Sequence, residues 1–305
     1  MQKIPDYPEF TPLGLTHKSE VEGALSKMDR SISEMTFSNL FLFGETHEYR
    51  VSKKEGLLLI TGKGYDGERY ALPPWGEGDV EAASNLLLDH LEKSNKSTAP
   101  PRLFPVSREM VERHFSPERW GADADRDQAD YVYLREELAT LPGKSFHKKR
   151  NRLAKFLREN VGDYEFSELE EEHIKGCAAI ANGWCEVRCS IERPSSYLET
   201  AAAVSALENR EALGLSGGVI LLKGEVAAYT LGEALNEETF LLHFEKTRPG
   251  EEGLAQLINR DFALHCLKGY TYINREQDLG DPGLRQAKES YRPHHLAEKF
   301  IVTRR

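Results

Sequence analysis

The stretch Thr239-Phe240-Leu241-Leu242-His243-Phe244-Glu245-Lys246, continuing through Thr247-Arg248-Pro249-Gly250-Glu251-Glu252-Gly253-Leu254-Ala255, decides how this chain is read. Its first part alternates. Phe240, Leu242 and Phe244 fall on one face of a strand, and Leu241, His243 and Glu245 on the other. Arg248-Pro249-Gly250 turns the chain. A helix is predicted over residues 251–268, carrying Leu254, Leu257, Ile258, Phe262, Leu264 and Leu267, and residues 270–273 read as a strand again. Strand, turn, helix and strand in this order make up a unit of an α/β protein.

The pattern extends in both directions. Residues 217–222 and 226–231 read as a hairpin around Lys223-Gly224-Glu225. Helices are expected over 168–182, 195–209 and 144–159, and a strand over 131–133. In the first half the spacing predicts a helix over 17–28 and a strand over 37–43. A strand pair over 48–52 and 56–61 is joined through Lys53-Lys54-Glu55-Gly56, and a strand over 69–72 stops at Pro73-Pro74-Trp75-Gly76. Asp79 is the expected N-cap of a helix to residue 93 whose apolar face is Val80, Ala83, Leu87, Leu88 and Leu91. A polar linker over 95–101 leads to a strand over 103–106 and a helix over 108–114. The acidic, turn-rich residues 120–130 read as a loop or an inter-domain crossing. Residues 70–93 and 244–268 share the order strand, turn, helix, a weak repeat compatible with two related domains in tandem.

A length of 305 residues suggests two domains. A net charge of −10 argues against a general nucleic-acid binder, although one basic patch can still act locally. No apolar run reaches the length of a membrane span, and the N-terminus lacks the apolar core of a signal peptide, so a cytoplasmic protein is expected. Of the four cysteines, Cys177, Cys185 and Cys189 lie close together, with His173 four residues before Cys177. The spacing fits no common zinc motif, and no metal is expected. Neither a P-loop nor a Gly-x-Ser-x-Gly elbow is present.

Two segments concentrate chemistry. Residues 144–158 gather seven Lys and Arg residues in an otherwise acidic chain, with Lys148, Arg152 and Lys155 on one helical face. Such a face binds phosphates, or it is simply a solvated amphipathic surface. Residues 274–293 follow a strand, where α/β folds place ligands, and mix Glu276 and Asp278 with Arg275, Arg285 and Lys288. That mixture serves proton transfer and charge stabilisation, or the charges pair with one another. Glu233 and Glu245 lie on adjacent predicted strands, as candidate general bases or, as is more frequent for such a Glu, simply on the solvent face.

Gly143-Lys144, His147-Lys148-Lys149-Arg150-Asn151 with Phe156, Asp278-Leu279-Gly280, and Gly283-Leu284-Arg285 with Lys288, Tyr291 and Pro293 resemble the family named for the C-terminal domain of phosphatidylglycerol lysyltransferase, in its stand-alone form. The likeness runs over nearly the whole chain. It implies an α/β (α+β) fold of two tandem GNAT-like domains, each a mixed central sheet flanked by helices, here expected at 1–125 and 126–305. The same architecture occurs in Fem-type aminoacyltransferases. The resemblance further implies an acyl or aminoacyl transferase, with aminoacyl-tRNA as donor ahead of acyl-CoA and a small-molecule or peptide amine or hydroxyl as acceptor. Arg285 and Lys288 carry over as site residues, together with Glu276 and Asp278. Lys148, Lys149, Arg150, Arg152 and Lys155 would hold the phosphates of a tRNA acceptor end.

GNAT enzymes bind the pyrophosphate of acyl-CoA on a Gln/Arg-x-x-Gly-x-Gly/Ala turn. Gly253-Leu254-Ala255 matches its end, but Gly250 stands where Gln or Arg is expected, and Glu251 and Glu252 would repel a phosphate. This counts against a CoA-dependent N-acetyltransferase using Glu245 as base. A non-catalytic, anion- or partner-binding protein is the third reading.

Overall fold

The computed structural model describes residues 3–94, 99–188 and 194–305. Its backbone contacts divide the chain into two compact units. The first comprises Met1–Asp130, Gln277–Asp281 and Leu296–Arg305, and the second Tyr131–Glu276 and Pro282–His295. The expected single cut after residue 125 differs from this division. The last strand belongs to the first sheet, so the C-terminus does not stay with the second half.

The first unit runs β1 (Thr11–Pro12), α1 (Lys18–Leu25), α2 (Phe37–Leu42), β2 (Arg50–Lys54), β3 (Leu57–Lys63), β4 (Arg69–Ala71), β5 (Trp75–Gly76), α3 (Val80–Ser94), β6 (Leu103–Ser107), α4 (Arg108–His114) and β7 (Trp120–Ala124). The second follows with β8 (Asp130–Leu134), α5 (Arg135–Thr140), α6 (His147–Glu159), β9 (Tyr164–Glu168), α7 (Ile174–Arg188), α8 (Pro194–Glu208), α9 (Arg210–Leu213), β10 (Ser216–Leu222), β11 (Glu225–Ala234), β12 (Thr239–Thr247), α10 (Leu254–His265), β13 (Tyr272–Asn274) and α11 (Pro282–Glu289). The short β14 (His295–Ala297) then leads to β15 (Lys299–Arg304).

The first sheet has the order β1-β2-β3-β4-β6-β15-β7, with β5 paired to β3. β2, β3 and β4 form an antiparallel meander, and α3 carries the chain over to β6, which lies parallel to β4. Asp79 caps α3 as expected, its Oδ1 accepting the Ala82 N–H at 2.9 Å. The expected apolar face of α3 is buried, with Leu87 and Leu88 packed against Leu57, Leu59, Leu103 and Val106.

The second sheet has the order β14-β8-β13-β12-β11-β10-β9. β9 to β12 form an antiparallel meander, and α10 crosses over to β13, which is parallel to β12. Both repeat segments are therefore the crossover between a meander's last strand and its parallel neighbour. α7 and α10 both pack against β11, and Ala227, Ala228, Tyr229 and Leu231 of that strand are fully buried.

Several expectations need correction. Residues 37–43 form helix α2 instead of a strand, because the Thr36 hydroxyl caps it by accepting the Asn39 N–H at 3.2 Å. Residues 120–124 form strand β7 instead of a loop, paired with β15 from Phe300↔Ala124 to Arg304↔Trp120. Lys53 and Lys54 stay in the ladder, and the turn is confined to Glu55 and Gly56, both at positive φ. α1 ends at Leu25, α7 begins at Ile174, and α10 begins three residues after Glu251. Most of the linker over 95–101 lies outside the described residues. Among the described residues no helix is long and apolar enough to cross a membrane.

Candidate active site

β12 and β13 run side by side only from Thr239↔Tyr272 to Leu241↔Asn274. β12 then continues to Thr247 while β13 ends, and the chain beyond Asn274 takes a new direction. Side chains from both segments gather beyond this point.

A bulge aims the first of them. Leu231 pairs with Phe244 and Gly232 with Leu242, so His243 is the extra residue of β12. Gly232 makes the close approach possible, since a Cβ there would lie 2.1 Å from the Leu241 carbonyl oxygen. The His243 side chain is 1% exposed. Its Nδ1 lies 2.9 Å from Glu276 Oε1 and its Nε2 2.9 Å from Glu233 Oε1. Carboxylate oxygens accept, so both ring nitrogens donate and the ring is an imidazolium. Burial alone would push its pKa down, but the hydrogen bonds and charges of Glu233 and Glu276 outweigh burial and raise it to about 10.

Glu276 is held in a left-handed conformation, φ 57°. Asn274 Oδ1 accepts its N–H at 2.8 Å. Its carbonyl accepts from the Tyr131 N–H at 3.1 Å and from Lys288 Nζ at 3.1 Å. Lys288 also donates to the Arg275 carbonyl. The Tyr133 hydroxyl in turn donates to the Lys288 carbonyl at 2.9 Å, which seats α11 over this loop.

Arg275 points the other way. Its Nη2 donates to Glu245 Oε1 at 3.1 Å, and Glu245 Oε2 accepts from Asn259 at 3.1 Å. The guanidinium lies 5.6 Å from the Tyr133 ring centre and 5.0 Å from that of Tyr291. The Glu245 charge keeps it protonated in spite of burial. Its Nη1 is buried without a hydrogen-bond partner among the described residues. Lys149 reaches the same ring from α6, with Nζ 4.0 Å from the Tyr291 ring centre and 2.6 Å from Ser290 Oγ.

The second unit thus brings Glu245, Glu276, Lys288 and Lys149 into one region of side chains beyond β13. Arg285 sits half-buried on α11. Asp278 belongs to the first unit, where it is fully buried, 3.2 Å from Arg126 Nη1, and accepts the Gly280 N–H at 2.9 Å. The expected phosphate-binding face of α6 is divided. Lys148 is exposed, whereas Arg152 and Lys155 pair with Glu252 at 3.1 and 3.6 Å. Arg150 donates to the carbonyls of Leu141 and Gly143 and so holds the turn before α6.

His243 and the stacked role of Arg275 escaped the sequence reading. A glycine inside a strand next to Glu233 was the available signal for a bulge. Among the described residues no group of three metal-ligating side chains occurs. His173 Nδ1 accepts the Glu170 N–H, and burial pushes the Cys177 thiol up to about 12. Cys189 lies outside the described residues, as does the side chain of Cys185.

A conserved protein of unknown function from Bacteroides thetaiotaomicron shares the fold at TM-score 0.85 and 33% identity, over 97% of this chain and 99% of that one. L-PGS from Bacillus licheniformis matches at TM-score 0.63 and 15% identity, over 99% and 94% of the two chains. FemX matches at TM-score 0.56 and 11% identity, over 96% of each. At such identities these two likenesses concern the fold alone. An uncharacterized protein of Mycoplasmoides gallisepticum is 24% identical over 178 residues, and the match spans 57% of this chain and about half, 55%, of that protein. The family model described as phosphatidylglycerol lysyltransferase, C-terminal, matches residues 25–303. The chain belongs to that family.

Proposed function

We propose that this protein transfers an activated aminoacyl group, carried by aminoacyl-tRNA, to the amine or hydroxyl of a small-molecule or peptide acceptor. The family match over residues 25–303 carries this reading. The charged groups gathered beyond β13 support locating the reaction in the second unit.

The acceptor nitrogen or oxygen attacks the ester carbonyl of the donor. The new amide or ester bond forms as the bond to the tRNA ribose breaks, and the proton released by the acceptor passes to the ribose oxygen. Glu276, oriented by His243, holds the attacking group. Lys288 and Arg285, on α11, stabilise the negative charge that develops on the carbonyl oxygen. Glu245 is a poor base for the alternative acetyl-CoA reaction, because both its oxygens already accept hydrogen bonds from Arg275 and Asn259. The turn before α10 is equally unsuited to a pyrophosphate, since a Cβ at Gly253 would lie 2.8 Å from the Arg152 carbonyl oxygen.

Binding titrations with aminoacyl-tRNA, deacylated tRNA and acetyl-CoA at two salt concentrations test the donor. Aminoacyl-tRNA is expected to bind, more weakly at high salt because phosphate contacts release counterions. Lys288→Met is expected to remove transfer while leaving a folded protein. Binding of acetyl-CoA without tRNA would replace this reading by the acetyltransferase. Binding of neither would favour a non-catalytic protein.

A further inference from the structure

Two cations, Lys149 and Arg275, lie against the Tyr291 ring in the second unit, and the charge of Arg152 acts on Lys149 as well. Arg275 is matched by Glu245 through Nη2 alone. Arg152 is matched by Glu252. Lys149 has a ring and a hydroxyl as its neighbours, and among the described residues no carboxylate lies within ion-pair distance of it. Burial first, then the charges of Arg152 and Arg275, lower its pKa to about 8. Arg275 Nη1 meanwhile is buried with no acceptor among the described residues. In a chain of net charge −10, a half-buried lysine held beside an arginine is a local concentration of positive charge suited to an anion.

We propose that Lys149 Nζ and Arg275 Nη1, beside the Tyr291 ring, form a binding site for a phosphate-class oxyanion. Donor geometry separates phosphate from carboxylate. A carboxylate is best held by both arms of a guanidinium fork, and here Glu245 occupies one arm. One remaining Nη1 and one ammonium, reaching from different segments, suit separate oxygens of a tetrahedral anion. This deepens the transferase reading, because it gives a substrate of the second unit a phosphate group, but its test requires no turnover.

Inorganic phosphate and methyl phosphate are titrated into the intact protein, with acetate as control, while the amide resonances of Ser290 and Tyr291 are followed by NMR. Both phosphates are expected to shift these signals saturably, and acetate much less. Lys149→Met should weaken phosphate binding about tenfold, as expected for one lost charge-assisted contact. Arg275→Lys is the second variant and should weaken it comparably. Lys149 is half-exposed, so its replacement does not threaten the fold. Equal responses to acetate and phosphate, unchanged phosphate binding in Lys149→Met, or no response in the unaltered protein would each overturn the site. Phosphate binding without any aminoacyl transfer would leave this site standing and remove only the transferase reading.

Discussion

At the scale of single residues, His243 is the most consequential side chain in the second unit. It is enclosed and bonded to two carboxylates, so its removal takes the shared cation from between Glu233 and Glu276. His243→Gln is expected to cost about 3 kcal/mol in urea unfolding, the usual scale for breaking a buried ion pair. The pH dependence follows from the raised folded pKa of about 10. The folded state holds the proton more tightly, so the stability due to His243 is complete below its unfolded pKa of about 6.5 and declines as pH rises toward 10. His243→Gln should flatten that decline between pH 7 and 10, and an unchanged slope would contradict the imidazolium assignment. None of this was legible in the sequence. The alternation set His243 beside Leu241 and Glu245 on one face, but both its partners arrive from other segments, one of them beyond the next strand.

At the scale of elements, two glycines control how the second unit closes. Gly253, at φ 102°, caps α10 where it meets α6, and a Cβ there would fall 2.8 Å from both the Arg152 carbonyl oxygen and Phe156 Cβ. Gly253→Ala is expected to lower stability by about 2 kcal/mol, combining left-handed strain with a backbone clash. Gly23 in α1 is the control. Nothing lies within 4 Å of a Cβ there, and Gly23→Ala should raise stability by about 0.5–1 kcal/mol through helix propensity. Melting temperatures of the two variants should move in opposite directions, and a shared direction would refute the packing argument. The elements themselves were largely readable. The β10–β11 hairpin, α3, α4, α8 and the long β12 follow from period, caps and turn residues. α2 was misread because a short apolar run suits a strand or a buried helix equally, and the Thr36 cap decides between them.

At the scale of the whole molecule, the first unit depends on a strand from the far end of the chain. β15 fills the sheet between β6 and β7, and Lys299 at its start is fully buried. Its Nζ lies 2.7 Å from Asp130 Oδ1, 2.8 Å from Glu34 Oε2 and 2.9 Å from Ser33 Oγ. Lys299→Met would take the shared cation from two buried carboxylates and is expected to cost about 3–5 kcal/mol. Adding Glu34→Gln and Asp130→Asn should restore much of that loss in urea unfolding, because the penalty belongs to uncompensated charge. A triple variant no more stable than the single one would show that the ammonium serves packing instead. The same distant pairing explains why residues 120–124 looked like a loop. Gly121 and Asp123 lack strand propensity, and a long-range partner imposes the ladder.

The sequence alone determined what local physics controls. Apolar spacing set the helices and the central strands, turn residues set the hairpins, and the motif residues of 143–156 and 278–293 placed the chain in its family. The tertiary structure decided what depends on partners far apart in the chain. It determined which strand completes each sheet, why Asp278 serves the first unit, and how Glu233, His243 and Glu276 assemble. The reason is energetic. A charge leaves water only where opposite charges and donors already await it, and those partners are brought together by the fold rather than by their neighbours in sequence.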